Sequence, residues 1–185
     1  MYENKVMVFD DIIDMSEQNV IKEELIGWTP NQFPWHFIED ITNDNKSKQK
    51  RPAFQHTLVK NSTMMSKYAH WLLPIARHSE EKIGFQSSRV EHVRTFLQLP
   101  LNTDKTIVDT PHVDLNYKHL VVLYYVNTSD GDTIIYNQKE ETKEYTIKQK
   151  VTPKQGRVVV FDGRFYHTAE QPSNDIRCVI NFNLI

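Results

Sequence analysis

The chain has 185 residues, of which 39% are hydrophobic and 25% charged, and a chain of this length forms about one domain. Its formal net charge of −2 at pH 7 lacks the basic character of a dedicated nucleic-acid-binding surface. A single cysteine, Cys178, excludes an internal disulfide, and the acidic N-terminal segment has no apolar run typical of a signal peptide or membrane anchor. These features predict a soluble, cytoplasmic protein that does not associate with membranes.

The first part of the chain is predicted to contain one strand and two helices. Residues 5–9 are typical of a short strand, and the run Ser16–Asn19 is typical of a helix N-cap. The helix that follows is expected to end at Gly27. Apolar residues at helical spacing predict a second helix over residues 62–83, in which Pro74 requires either a kink or a new start.

The second part of the chain has the pattern of a β-sheet protein. From Ser88 onward, runs rich in Val, Ile, Thr, Tyr and Phe are separated by Pro, Gly, Asp and Asn, which predicts short antiparallel strands. With no helix between them, such strands form a sandwich or a barrel. We therefore predict one α+β, mainly β domain over residues 1–185. In this domain residues 1–87 supply a strand and helical support, and residues 88–185 form the core.

Two of the eight histidines are followed two residues later by a carboxylate, and one of these pairs is placed to bind a metal. His78 and Glu80 fall in the predicted helix, where residues two apart point about 200° away from each other. His112 and Asp114 lie between Pro111, which favours extended backbone before it, and a predicted strand. Residues two apart in an extended chain share a face, so only the second pair is expected to chelate an ion.

His167 is the third ligand candidate, because it follows the apolar strand at residues 156–162. Two histidines and one aspartate on neighbouring strands form a facial triad that binds Fe(II) and leaves coordination positions open. Arg177 opens the last predicted strand, and its planar guanidinium matches a carboxylate in two parallel hydrogen bonds. The pattern therefore indicates an iron site beside a binding site for a dicarboxylate.

These motifs, taken in order, resemble the 2-oxoglutarate- and Fe(II)-dependent dioxygenases, particularly the prolyl-4-hydroxylase-like group. The matching segments are HVD at 112–114, YYVN at 124–127, DGDT at 130–133, GRVVVFDGRFYH at 156–167 and the strand that begins at Arg177. They extend over about half of the chain, from roughly residue 90 to residue 185. The resemblance implies a double-stranded β-helix, or jelly-roll, core with N-terminal helices packed on it.

The resemblance also implies the roles of the site residues. His112, Asp114 and His167 would bind Fe(II), and Arg177 would bind the distal carboxylate of the cosubstrate 2-oxoglutarate. The implied reaction uses O2, converts 2-oxoglutarate to succinate and hydroxylates a C–H bond, with ascorbate as a candidate reductant. The intact aspartate of the triad argues against the halogenating branch of the family, which vacates that position.

The cosubstrate pocket implied by the resemblance matches the family pattern at one tyrosine and departs from it at two other places. The second tyrosine of the YY-x-N strand often contacts the same carboxylate, which here is Tyr125, although strand alternation alone leaves Tyr124 open. Many prolyl hydroxylases carry a further tyrosine on the strand before the metal-binding loop, where this chain has Gln98 or Leu99. A single Gly131 replaces the more usual double-glycine turn.

The substrate is less clearly indicated than the site. By analogy with the family, a prolyl residue of a peptide or protein is the first candidate, and a free amino acid or small metabolite is the alternative. A non-redox, cupin-like metal protein and a non-catalytic binding module also stay open. Candidate substrate contacts are Arg94 (also a partner for a substrate carboxylate), the aromatic segment around Trp28 and Trp35, the polar loop 42–51 and the hairpin 138–150. For each of them, a solvated loop or a charged edge strand is the favoured interpretation.

Overall fold

The computed structural model describes residues 2–30, 32–42, 50–101 and 109–185. Within these ranges the elements are β1 (Val6–Phe9), α1 (Met15–Ile26), β2 (His36–Ile38), β3 (Ala53–Lys60), β4 (Thr63–Met64), α2 (Ala69–Ile83), β5 (Val90–Gln98), β6 (Leu120–Tyr125), β7 (Thr133–Tyr136), β8 (Ile147–Val151), β9 (Val158–Asp162), β10 (His167–Ala169) and β11 (Arg177–Leu184). Neither of these helices is long and apolar enough to cross a membrane. The prediction of a mainly β fold with N-terminal helices is confirmed.

The strands form two antiparallel sheets that enclose the candidate site. The large sheet has eight strands in the order β1-β9-β6-β11-β5-β3-β2, with β4 paired to β3, and the small sheet has the order β10-β7-β8. The second half of the chain supplies the small sheet and the centre of the large one. This arrangement is the predicted jelly-roll core.

Strand alternation gives the two faces of the large sheet different partners. On β6, Val122 and Tyr124 belong to the core cluster that also contains Leu25 of α1 and Leu72 of α2. Their neighbours Val121, Leu123 and Tyr125 belong to a second cluster that includes Ile135 and Phe165 from the small-sheet side. One face therefore packs on the helices, and the other faces the small sheet and the cavity between the sheets.

The start of α1 differs from the prediction. Asp14, not Ser16, is the N-cap. Its backbone is extended, and its carboxylate accepts a hydrogen bond from the backbone N–H of Glu17 at 2.8 Å. Ser16 already lies in the helix, and its hydroxyl donates to Asp14. The predicted end is confirmed, since Gly27 is the C-cap and its N–H donates to the carbonyl of Glu23.

The predicted helix over residues 62–83 is wrong in its first seven residues. Asn61 and Ser62 both have positive φ, at 50° and 59°, and form the tight turn between β3 and β4. Helix α2 begins only at Ala69 and continues through Pro74. It ends at Ile83, as predicted, and Gly84 is its C-cap in the left-handed conformation with φ 63°.

The first half of the chain also contributes more strand than predicted. β3 is an eight-residue strand paired with β5 on one side and β2 on the other, so the expectation of one N-terminal strand plus helices is wrong. A register shift between Thr57 and Val59 interrupts the two-residue alternation. Because that alternation is the sequence signal of a strand, β3 carries only a weak one.

Candidate metal and carboxylate site

The cavity-facing wall of the large sheet is built by alternate residues of two paired strands. On β11 these are Arg177, Val179 and Asn181, and on β5 they are Arg94, Phe96 and Gln98. Asn183 continues the same face of β11 and is fully buried. The register places Arg177 opposite Gln98 and Asn181 opposite Arg94. Together with residues of the small sheet and of the segment after residue 108, this wall lines a cavity of about 710 Å³.

The three predicted metal ligands meet at this cavity. His112, Asp114 and His167 each offer one ligand atom, and these three atoms lie within 4.8 Å of one another. Oδ2 of Asp114 lies 3.7 Å from Nε2 of His167. His112 and His167 also exchange two backbone hydrogen bonds, of 3.0 and 2.9 Å. This bridge joins the segment between β5 and β6 to β10, and so brings residues 55 positions apart together.

The backbone also orients both imidazole rings. Nδ1 of His167 lies 3.0 Å from the carbonyl oxygen of Phe165, and Nδ1 of His112 lies 3.3 Å from that of Thr110. Because a carbonyl oxygen can only accept, each Nδ1 carries the hydrogen and each Nε2 keeps its lone pair. Nε2 is therefore the nitrogen that each histidine presents to a metal.

The protonation states of the site suit a divalent cation. Burial raises the pKa of Asp114, but the neighbouring His167 and Arg94 outweigh burial and hold that pKa well below its usual range. Burial and the neighbouring His112 lower the pKa of His167 to about 4, against the attraction of Asp114. Near neutral pH the site thus presents an ionised carboxylate and a neutral His167 imidazole, which are the metal-binding forms.

Arg177 is a buried cation whose hydrogen-bond acceptors, within the described ranges, are all neutral. Its Nε donates to the carbonyl of Gly131 at 2.9 Å, Nη1 to Oε1 of Gln98 at 2.8 Å and Nη2 to Oγ1 of Thr133 at 2.8 Å. Burial lowers the pKa of Arg177, yet arginine keeps its proton in proteins. A guanidinium has five N–H groups, so one remains on each terminal nitrogen for an anionic group.

The structure decides between the two neighbouring tyrosines. The hydroxyl of Tyr125 donates to Oγ1 of Thr133 at 2.7 Å, and its ring centre lies 5.8 Å from Cζ of Arg177. Tyr124 points to the opposite face of the sheet, into the cluster with the helices. Burial raises the pKa of Tyr125 to about 12, so its hydroxyl stays protonated and next to Arg177.

The turn at Gly131 and the residue at position 98 both serve Arg177. A Cβ atom on Gly131 would lie 2.7 Å from the carbonyl oxygen of Glu170 and 3.0 Å from Cδ of Arg177, so only glycine fits. Gln98, which is buried, accepts from Arg177, whereas Leu99 is partly exposed. Of these two residues, Gln98 is therefore the one that contacts Arg177 on the strand where many prolyl hydroxylases carry a tyrosine.

Only some of the predicted substrate contacts line the cavity. Arg94 lines the cavity, but its Nη2 donates to Oδ1 of Asp114 at 2.8 Å. Trp28 is 87% exposed and Trp35 donates to a helix carbonyl, and neither is a lining residue. The lining found in the described ranges includes no residue of the hairpin 138–150. Of the loop 42–51, Thr42 lines the cavity, while residues 43–49 lie outside the described ranges.

Two asparagines that contact one of the predicted metal ligands were not identified from the sequence. Asn181 and Asn183 on β11 both donate through Nδ2 to Oδ2 of Asp114, each at 2.9 Å. The sequence does contain a pattern that could have identified them. Both asparagines lie an even number of residues after Arg177, which places them on its face of the strand, while the opposite face is apolar.

A buried ion pair was also missed. Nη1 of Arg51 lies 2.5 Å from Oδ1 of Asp109, and both side chains are at most 9% exposed. The hydroxyl of Thr168 donates to the carbonyl oxygen of Asp109 at 2.7 Å. Burial raises the pKa of Asp109 to about 6, against the attraction of Arg51. The pair anchors the chain three residues before His112 to the start of β3.

The fold is that of the 2-oxoglutarate–Fe(II) oxygenases. An oxidoreductase of that family from Burkholderia pseudomallei matches with a TM-score of 0.68 and 11% identity over 97% of this chain and 84% of its own. A prolyl-4-hydroxylase from Pseudomonas putida matches with a TM-score of 0.59 and 9% identity over 97% and 91%. A non-haem alpha-ketoglutarate-dependent epimerase from nogalamycin biosynthesis matches with a TM-score of 0.66 and 11% identity over 97% and 78%.

These likenesses concern the fold, because the sequence identities are low. No protein-family model and no curated protein sequence matches the chain. The chemistry of this chain therefore depends on its own site residues rather than on the shared fold.

Proposed function

We propose that this protein is an Fe(II)- and 2-oxoglutarate-dependent dioxygenase that hydroxylates a C–H bond. The observation that carries the proposal is one cavity that brings together two kinds of ligand-binding group. One is the His112–Asp114–His167 donor set, and the other is the buried guanidinium of Arg177, whose acceptors among the described residues are all neutral. A metal and a dicarboxylate bound side by side satisfy both.

The donor set fits a non-haem Fe(II) ion. Two imidazoles and one carboxylate are the ligands of the facial triad, which leaves adjacent coordination positions open. When bound, the iron would supply the activation of O2 that couples conversion of 2-oxoglutarate to succinate and CO2 with oxidation of a substrate. His112, Asp114 and His167 hold the ion at the cavity wall, with Nε2 presented by each histidine.

Arg177 fits the far carboxylate of 2-oxoglutarate. Its two remaining N–H groups match a carboxylate in a bidentate geometry, while Gly131, Gln98 and Thr133 keep the guanidinium from turning. The apolar side chains of Phe96 and Val179 line the same wall and exclude water from it. A non-redox, cupin-like metal protein binds no dicarboxylate cosubstrate and therefore does not require a buried cation beside the metal. The buried Arg177 thus favours the dioxygenase over that alternative.

The proposal predicts a visible charge-transfer band when Fe(II) and 2-oxoglutarate bind together without oxygen. Metal-free protein is titrated anaerobically with Fe(II) and then with 2-oxoglutarate, and absorbance is recorded after each addition. The band is expected only when both are present, because it requires the 2-oxo acid to coordinate the iron. Tight Fe(II) binding without a band on addition of 2-oxoglutarate would indicate a non-redox metal protein, and no Fe(II) binding would contradict the metal site.

For the substrate we propose a prolyl residue in a peptide. Two observations support it. One of the proteins with this fold is a prolyl-4-hydroxylase, and β2, an edge strand of the large sheet among the described strands, ends at Ile38, which lines the cavity. An extended peptide that pairs with such an edge carries alternate side chains toward the cavity. A small-molecule substrate is the second candidate, because the epimerase with the same fold forms a complex with nogalamycin RO.

The two substrate classes are separated by their effect on turnover. Proline-containing peptides are expected to raise succinate formation above the rate without substrate, and to gain one oxygen atom located on proline by mass-spectrometric fragmentation. A pool of free amino acids and other metabolites is assayed in parallel. Coupled turnover with metabolites and with no peptide would overturn the prolyl assignment and leave the dioxygenase proposal intact.

A further inference from the structure

The carboxylate of Asp114 is held by three side chains from the sheet wall. Asn181 and Asn183 each donate through Nδ2 to Oδ2 at 2.9 Å, and Arg94 donates through Nη2 to Oδ1 at 2.8 Å. A carboxylate offers about four acceptor positions, so most of them are occupied. Rotation of the carboxylate about its Cβ–Cγ bond would break hydrogen bonds at both oxygens, and its orientation is therefore fixed.

The two asparagines are costly residues for this position. Asn183 is fully buried and Asn181 is nearly so, and the Oδ1 atom of each has no hydrogen-bond partner in the part of the chain that the structure describes. A buried acceptor without a partner costs free energy, and an apolar side chain such as that of Val179 on the same face would avoid this cost. The hydrogen bonds that their Nδ2 atoms donate to Asp114 explain why asparagine stands at both positions.

We propose that Asn181 and Asn183 are positioning residues that fix the orientation of the Asp114 carboxylate for metal binding. They act through Asp114 and need not touch the metal. Both lie on the face of β11 that also carries Arg177, so one strand face orients a metal ligand and binds the cosubstrate. The proposal rests on the metal site of the proposed function.

Co(II) binding tests this role without relying on turnover. Asn181→Ala and Asn183→Ala are each expected to weaken Co(II) binding at least about tenfold, since loss of a residue that orients a metal ligand typically costs 10–100-fold in affinity. The visible spectrum of bound Co(II) is expected to change, because the carboxylate is free to rotate. Affinity is measured by titration of metal-free protein, and far-UV circular dichroism checks the fold. If Asn183→Ala fails to fold, Asn181→Ala at the cavity wall carries the test.

Gln18 of α1 provides a matched control on the opposite face of the large sheet. Its buried side-chain amide donates to Oδ1 of Asp11 and to the carbonyl of Ile13, both at 3.0 Å, and its Oε1 has no partner among the described residues. Gln18→Ala is expected to lower the free energy of unfolding and to leave Co(II) affinity and spectrum unchanged.

The outcomes separate this proposal from the one on which it rests. Asparagine variants that bind Co(II) with wild-type affinity and spectrum would overturn the positioning role, leaving the metal site intact. Failure of the wild-type protein to bind Co(II) or Fe(II) would overturn the metal site itself, and the positioning role with it.

Discussion

His167→Ala is expected to reduce 2-oxoglutarate decarboxylation to the background level and to remove tight Fe(II) binding. The substitution deletes one of three donors, and the expected loss of metal affinity exceeds the 10–100-fold typical of residues that only orient a ligand. His112 and Asp114 alone would leave the ion with two protein ligands. The measurements are succinate formation and Fe(II) titration under anaerobic conditions.

A histidine elsewhere in the sheet serves as the control for this prediction. His56 on β3 is 9% exposed, contacts the hydroxyl of Ser66 at 2.8 Å and is not a lining residue of the cavity. His56→Ala is expected to lower the free energy of unfolding while Fe(II) affinity stays at the wild-type value. Full decarboxylation activity in His167→Ala would show that His167 is not a ligand.

Arg177→Ala is expected to weaken 2-oxoglutarate binding by at least about tenfold, because a hydrogen bond to a charged group contributes about 1.5–3 kcal/mol. Arg177→Lys keeps the charge but loses the planar pair of donors, so its affinity is expected to lie between those of the wild type and the alanine variant. Binding is measured by titration of 2-oxoglutarate into the Fe(II)-loaded protein. Fe(II) affinity should be the same in all three proteins, because Arg177 donates to no metal ligand.

A cosubstrate analogue separates the carboxylate contact from general damage to the pocket. 2-Oxobutyrate keeps the metal-binding 2-oxo acid end and lacks the distal carboxylate. The wild type is expected to prefer 2-oxoglutarate over 2-oxobutyrate, and Arg177→Ala should lose that preference. An alanine variant that discriminates as well as the wild type would place the distal carboxylate away from Arg177.

Much of the fold could be predicted from local pattern. The strands β5 to β9 and β11 were recognisable from runs of β-branched and aromatic residues between turn residues, whereas the three-residue β10 was too short to give such a run. β3 and the β3–β4 turn were not recognisable, because a register shift breaks the alternation of β3 and the turn uses Asn61 and Ser62 rather than glycine. Both features depend on neighbouring strands that are distant in the chain.

The candidate site was predictable where spacing along an extended chain decides the geometry. His112 and Asp114, two residues apart, could be paired from the sequence, and Arg177 stood out as the charged first residue of an apolar strand. The role of Arg94 could not be predicted, because its partner Asp114 is twenty residues away and reaches it only through the packed sheets. The same holds for the ion pair between Arg51 and Asp109.

The sequence by itself determined the class of fold, the residue types of the proposed metal and carboxylate sites and their order along the chain. Only the tertiary structure decided which side chains meet. It placed Tyr125 rather than Tyr124 beside Arg177, put Asn181 and Asn183 on Asp114, and gave Arg177 only neutral acceptors within the described ranges. The physical reason is that alternation specifies two faces of a strand, whereas strand order and register specify which face becomes the wall of the cavity.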